Sequence, residues 1–467
     1  MKPVLLIPDG VGVRNFLLGP LVKKLSEGGQ ACLLHVVPDE HIPAYSAGFG
    51  GGGDVRWDRL VPYRESFASF TLRYCLFYAQ MYWGDSRAMR YVRNSPLRGG
   101  WRTRSVRRAA RLVGRASASP RGIRALERWH CAAVERLPEV AHYLRLFREI
   151  KPSVLFCSHQ RPPLILPATL AAKSLGIPTA TFIFSWDNLT SKGRIAAPFD
   201  HYLVWSEHMK GELLRYYPDV TPERVHVVGT PQFDQYADES QLWPREEFFR
   251  RVGADPSRPL ICYTGGDTGI SPEDQGRVRI LMELLRGGHL RGNPQVLLRP
   301  APVDEGSRYD ELRRDFPELL YAQPQWLHAQ AGKWRQVMPS AEDVQFLTNL
   351  TYHADLNVNQ ASTITLDFAI RDKPVVNIAF DIADPPHFGT PLWDFFYCWE
   401  HYRPVVDLKA ARFARSPAEL AEHINAYLEN PALEREGRRQ LVQLEIGRAI
   451  GQSSQCILET LQQIALR

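Results

Sequence analysis

Residues 355–381 read "DLNVNQASTITLDFAIRDKPVVNIAFD". "DLNVNQ" (355–360) has the apolar content of a short strand, "STITLDFAIRD" that of a helix, and "PVVNIAFD" (374–381) that of a second strand. A strand, a helix and a strand in that order predict a βαβ unit and hence a parallel sheet. In such sheets ligands sit beyond the carboxyl ends of strands, where helix starts offer N–H groups to anions. Ser362 and Thr363 stand at that point, so their hydroxyls can meet a diphosphate. Asp367 lies at i+4 from Thr363, on the same helix face, where it can accept from ribose hydroxyls. Hydroxyls and acids in a first turn also simply cap a helix, and the residues alone leave both readings open.

The same alternation extends in both directions. "PLICYTGG" (259–266) and "QVLLRPAP" (295–302) read as strands, with "AEDVQFLTNLTYHA" as a helix between them and residue 355. Upstream, strands are expected at 3–8, 31–37, 153–158, 178–184, 201–206 and 224–229. They are separated by amphipathic stretches such as "RNFLLGPLVKKLSEGG", a helix closed by Gly28, and "PEVAHYLRLFREIKP". The fold class is therefore α/β with two Rossmann-like domains. The expected division is 1–235 and 236–467, joined near 230–240. The terminal helices, roughly 416–467, are open to packing back on the first domain.

Composition narrows the class. An apolar share of 44% and a charged share of 23% over 467 residues suit an ordinary globular chain of two or three domains. The apolar run in "MKPVLLIPDG" is too short for a signal peptide, and no stretch reaches the roughly 18 apolar residues a membrane span needs. A cytoplasmic chain is expected. Seven scattered cysteines, none in a CxxC pair, argue against a disulfide framework or a zinc site. No DxD-type, HExxH or P-loop motif occurs, so neither metal nor cofactor is expected.

The charge is uneven. Net charge is +6, yet residues 86–125 hold twelve arginines (87, 90, 93, 98, 102, 104, 107, 108, 111, 115, 121, 124) and no acid. The insert around them, 84–130, interleaves Tyr91, Trp101 and Trp129, with Trp83 just before it. Arginines with scattered aromatics suit an anionic membrane surface. Nucleic acid is the competitor, but no DNA- or RNA-reading motif accompanies them. A peripheral position at the inner face of the plasma membrane is the expectation.

The second half resembles the donor domain of GT-B-fold glycosyltransferases, which carries a small or hydroxyl-rich helix start, an acid and a "x-P-V-V" strand near its end. Residues 355–381 match in order, with Asp367 where most members have Glu. "VHVVGTPQFDQY" (225–236) resembles the segment entering the linker in bacterial envelope-polysaccharide relatives, including teichoic-acid glycerophosphotransferases. The resemblance implies two domains facing across a cleft and a metal-independent transfer from a nucleotide-sugar. It further implies that Thr264, Gly265 and Gly266 approach the donor phosphates and that Arg299 supplies a phosphate-binding fork. As residues, the glycines also suit a plain turn and Arg299 a surface. Nucleotide-sugar 2-epimerases share the fold and are a rival reading. Transfer of a polyol phosphate from a CDP-alcohol and a non-enzymatic lipid- or nucleic-acid-binding protein are others.

The resemblance assigns the acceptor to the first domain, where three strand ends carry a candidate base. "PDGVGVRNF" (8–16) offers Asp9, "SHQRPP" (158–163) His159, and "SWDNLTSKG" (185–193) Asp187. Asp187 ranks first on sequence because Trp186 can stack on a sugar and Asn188 and Lys192 can donate to it. Arg14 and Arg161 complete the acceptor-side set. The expected function is an inverting glycosyltransferase extending a bacterial envelope glycan or lipid-linked acceptor.

Overall fold

The computed structural model describes residues 1–27, 31–47, 55–97, 99–304, 306–328 and 337–466. Gly28 and Arg98 lie outside them. The chain divides into two compact units: Met1–Asp234 together with Glu445–Arg467, and Gln235–Leu444. Residues 445–467, counted by sequence in the second domain but left open to packing back on the first, cluster with the first unit.

In the first unit the strands are β1 (Pro3–Ile7), β2 (Ala31–His35), β3 (Val55–Arg59), β4 (Val154–Cys157), β5 (Thr179–Phe182), β6 (His201–Val204) and β7 (Val225–Val227). They form one sheet in the order β3-β2-β1-β4-β5-β6-β7, and every pair is parallel. β1, β2, β4 and β5 are buried at every residue, as strands covered by helices on both faces must be. β3 was missed by sequence. Its "VRWDR" is half exposed and charged, as suits an edge strand.

The expected helix over 14–29 is broken in two, and a further turn precedes it. Asp9 caps a single turn, Gly10–Gly12, which passes into a π-turn, Val13–Leu17, and Pro20 starts a fresh helix, Pro20–Glu27. Pro20 cannot continue a helix because it lacks an N–H and its ring clashes with the preceding turn. Phe16 pins the π-turn to the sheet, edge-on to Phe156 and Phe182 at centroid distances of 5.5 and 5.4 Å. Such pairs contribute about 0.5–1.5 kcal/mol each beyond burial.

The arginine-rich insert belongs to a helical cluster, Phe67–Gly84, Arg87–Asn94, Trp101–Ala116 and Pro120–Glu135. Gly114 lets two of its helices touch: a Cβ there would lie 2.6 Å from Tyr78 and 2.8 Å from the Ala79 nitrogen. Arg93, Arg107 and Arg111 fold onto the rings of Tyr82, Tyr74 and Tyr78. Arg87, Arg90, Arg102, Arg104, Arg108, Arg115, Arg121 and Arg124 are exposed.

In the second unit β8 (Leu260–Thr264), β9 (Gln295–Arg299), β10 (Leu320–Tyr321), β13 (Leu356–Asn359), β14 (Val375–Ile378) and β15 (Arg412–Ala414) form a parallel sheet. Its order is β10-β9-β8-β13-β14-β15. A separate antiparallel pair, β11 (Trp326–His328) and β12 (Val337–Pro339), stands beside it. The core joins strand residues such as Ile261, Leu298, Val358 and Val376 to Val278, Leu281, Leu420 and Ile424 from the covering helices.

Candidate functional site

In each sheet the chain runs outward from one central strand, then crosses to its other side. That crossing lies between β1 and β4 in the first unit and between β8 and β13 in the second. Ligands of open parallel sheets bind at such crossings, beyond the carboxyl ends of the strands.

In the first unit the crossing brings Asp9, after β1, to His159, after β4. Asp9 Oδ1 accepts from the Gly12 N–H at 2.9 Å, and its Oδ2 lies 2.5 Å from His159 Nδ1. Gly12 permits the approach of the two loops, since a Cβ there would sit 2.7 Å from Ser158 Oγ. A carboxylate only accepts, so Nδ1 is the donor of this pair and Nε2 is the ring nitrogen left over. His159 Nε2 is buried and has no hydrogen-bond partner among the described residues. Its ring lies 4.3 Å from that of Phe184. Asn15 Nδ2, on the π-turn, is buried and unpartnered in the same way. Arg14 donates to Asn15 Oδ1 and to Gln232 Oε1, and Arg161 is exposed at the end of the β4 loop.

The loop 185–193 has a different character. The Asp187 carboxylate takes Asn188 Nδ2 at 2.8 Å, Ser191 Oγ at 3.0 Å and Lys192 Nζ at 3.0 Å, all from its own loop. Trp186 is only 3% exposed, so it shows no open face for a sugar. Asn188 Oδ1 accepts from Gln160, and Ser86 Oγ donates to the Thr190 carbonyl. Gly193 packs against Phe77. The polar groups that made this loop resemble a binding surface bind one another and tie the helical cluster to the sheet. Asp187, Trp186, Asn188 and Lys192 are braces here, and the free ring nitrogen belongs to His159.

In the second unit a chain of amides joins the two stretches singled out by sequence. Asn357 Nδ2 donates to Thr264 Oγ1 at 3.1 Å, Asn359 Nδ2 to Asn357 Oδ1 at 2.7 Å, and the Ser362 N–H to Asn359 Oδ1 at 3.0 Å. Ala361, in the left-handed region at φ 43°, turns the chain into the helix Ile364–Ile370, with Ser362 and Thr363 half-buried at its start. Asp367 accepts from Tyr236 Oη at 2.5 Å. Two buried asparagines in a four-residue strand were the signal of this network, and the sequence reading passed over them.

Gly265 and Gly266 serve another purpose than the one expected. Their N–H groups are taken by the Arg299 carbonyl and by Asp274 Oδ2, each at 2.9 Å. What a side chain at Gly265 would strike is Tyr309 Oη at 2.7 Å and Asp274 Oδ2 at 2.9 Å. Asp274 is the hub of the turn: it also accepts from Tyr263, Ser271 and Tyr309, with Arg308 at 3.4 Å. Burial, then the Asp274 charge, push both phenols well above their usual range, so they remain donors. Ser271 Oγ in turn reaches Gln360 Oε1 at 3.1 Å, beside Ser362.

Arg299 is held by Asp343, its Nη2 2.8 and 2.9 Å from the two carboxylate oxygens. Asp343 also binds Trp326 Nε1, so the pair fastens β9 to β11. A buried arginine with unspent donors was missed. Arg277, in the first turn of the helix following the glycine turn, is 1% exposed. It pairs with Glu273 through Nη2, but its Nε and Nη1 are buried without partners among the described residues. Among the described residues no cluster of three or more His, Cys, Asp or Glu side chains is placed to hold a metal ion.

No protein-family profile matches the chain, and no curated protein matches it by sequence. Solved structures do. The UDP-GlcNAc 2-epimerase from Neisseria meningitidis, bound to UDP-GlcNAc, matches over 99% of this chain and 100% of its own, with a TM-score of 0.54 at 12% identity. A glycosyltransferase from Rickettsia africae matches over 99% and 98%, with a TM-score of 0.52 at 11% identity. A 2-epimerase-like structure from Listeria monocytogenes matches over 99% and 95%, with a TM-score of 0.52 at 10% identity. With two parallel sheets in doubly wound order, the chain has the paired Rossmann-like architecture of the GT-B class.

Proposed function

We propose that the protein is a glycosyltransferase that moves a sugar from a nucleotide-sugar to a hydroxyl of an envelope glycan or lipid-linked acceptor, with inversion and without a metal. The observation that carries this reading is the Asp9–His159 pair at the sheet crossing, with Nε2 unpartnered. In this reading the first unit holds the acceptor and its base, and the second holds the nucleotide. His159 Nε2 takes the proton of the acceptor hydroxyl while Asp9 fixes the tautomer and stabilises the imidazolium. The hydroxyl oxygen bonds to the anomeric carbon, the bond from that carbon to the diphosphate breaks, and the nucleoside diphosphate leaves. Ser362, Thr363 and Arg277 meet the charge that develops on it. Asp367 accepts from the ribose.

The exposed arginines of the helical cluster stand beside exposed Trp101 (68%), Leu112 (73%) and Trp129 (62%). Guanidinium groups with apolar wedges suit attachment to an anionic membrane surface, where a lipid-linked acceptor would be met. No helix among the described residues is long and apolar enough to cross a membrane.

The fold also hosts 2-epimerases, in which a base would act on the sugar with no acceptor. Incubation with UDP-GlcNAc and other nucleotide-sugars, followed by NMR, separates the two. A transferase releases nucleotide faster when acceptor glycan is added. Formation of the 2-epimer without acceptor overturns the proposal and assigns an isomerase.

A further inference from the structure

The second unit carries a basic pocket at the opposite end of its sheet from the Ser362 turn. It is an open concavity of about 920 Å³ lined by Leu242–Arg245, by Tyr352 and His353, and by Ile370–Lys373. Residues 352–353 and 370–373 immediately precede β13 and β14, so the pocket opens at the amino ends of these strands. Three cations converge there, Arg245, Arg371 and Lys373, and none has an ion-pair partner among the described residues. Arg245 is held in place by carbonyls, those of Pro256 and His353. Arg371 lies between the rings of Tyr236 and Tyr352, at 5.0 and 5.5 Å, with Nε and Nη2 buried and unpartnered. The acid in the lining, Asp372, is committed to Arg435 and Arg438. His353 bonds the Trp243 carbonyl through Nε2, and burial lowers its pKa, so it adds no charge at neutral pH.

Burying a cation with no counter-ion is costly, and the cost is offset when an anion fills the space. Burial lowers the proton affinity of both Lys373 and Arg371, and the nearby charges of Asp355, Asp372 and Glu239, which act the other way, do not restore it. Arginine forks beside aromatic faces are suited to phosphate oxygens. We infer that this pocket binds a phosphate-bearing small molecule, at a site separate from the Ser362 turn. Arg371 and Asp367 lie on one short stretch of chain (364–371), so an anion bound at Arg371 is placed to bias the Tyr236–Asp367 bond and, through it, the nucleotide turn.

The probe is inorganic pyrophosphate, titrated into the full chain at low salt by calorimetry, with UDP titrated separately. The wild type, Lys373→Met, Arg371→Leu and Arg245→Gln are compared with the double variant Ser362→Ala/Thr363→Ala, each checked by circular dichroism. The expected result is pyrophosphate binding that weakens at least tenfold in the pocket variants and persists in the double variant. UDP affinity should show the reverse pattern. The inference is overturned if folded pocket variants bind pyrophosphate as the wild type does, or if the wild type does not bind it at millimolar concentration. Loss of all pyrophosphate binding in the double variant alone also overturns it. Should one pocket variant fail to fold, the other two decide.

Discussion

Substituting Asp274 by Asn tests whether the glycine turn is built around one carboxylate. Oδ1 accepts from Tyr263 Oη at 2.6 Å and Ser271 Oγ at 2.9 Å; Oδ2 accepts from the Gly266 N–H and Tyr309 Oη at 2.9 Å, with Arg308 close by. An amide keeps one acceptor oxygen and turns two hydrogens toward groups that already donate. The amide nitrogen fits best in place of Oδ1, because two hydroxyls can rotate and a backbone N–H cannot. Two bonds to a charged group are then lost, and the charge facing Arg308 is removed while its ion pair with Asp304 and its bonds to the Ser271 and Gly266 carbonyls remain. At about 1.5–3 kcal/mol for each such bond, the substitution costs about 3–6 kcal/mol. For a unit of this size that lowers the melting temperature by on the order of 10 °C. Urea unfolding followed by calorimetric titration with UDP is the assay. Because Ser271 reaches Gln360 beside Ser362, nucleotide affinity should fall as well. A stability loss below about 1 kcal/mol together with unchanged UDP affinity would refute the reasoning.

Three further outcomes are expected. Gly12→Ala places a methyl 2.7 Å from the buried Ser158 Oγ; it should cost about 1–3 kcal/mol and lower turnover by displacing Asp9 from His159, as denaturation and rate measurements on one preparation would show. Glu445 is buried, which pushes its pKa to about 8 from 4.5, and nearby His208 is drawn down by burial and stays neutral. The folded state therefore binds the extra proton, so stability falls as pH rises from about 5 to 8, by up to about 1.4 kcal/mol per pH unit; Glu445→Gln should flatten that slope in urea titrations. Anionic liposomes should sediment the protein and neutral ones should not, with the binding lost as salt is raised and weakened in Arg104→Glu/Arg108→Glu; equal binding to both liposomes would contradict the membrane reading.

Much of the fold was legible because apolar strand runs such as "PVLLI" and "SVLFC" bury both faces and so read without ambiguity. β3 was not, because an edge strand carries charges that resemble a loop. The short β10 and β15 hold too few residues to show a pattern. For the candidate site, sequence shows which residues end strands and not what each of them does. Sequence put Asp9, His159, Thr264 and Ser362 at strand ends, and the strand order shows that those ends flank the sheet crossings. Which polar groups are spent on the protein itself depends on distances that sequence does not carry. Asp187 and Arg299 looked available and are occupied, whereas Arg277 drew no notice and is buried with two nitrogens unpaired among the described residues. Glycine was read as making room for phosphate, and at Gly265 it makes room for Tyr309 and Asp274.

The most direct test of the central claim is the turnover of His159→Gln with a nucleotide-sugar and acceptor that the wild type uses. Glutamine preserves a polar side chain of similar reach beside Asp9 but takes no proton. The account predicts a fall in kcat of about 10² to 10⁴, with UDP affinity and melting temperature close to wild type and Asp9→Asn lowering the rate by a smaller factor. A His159→Gln rate within a few-fold of wild type, at unchanged stability, would contradict the assignment of His159 as the base.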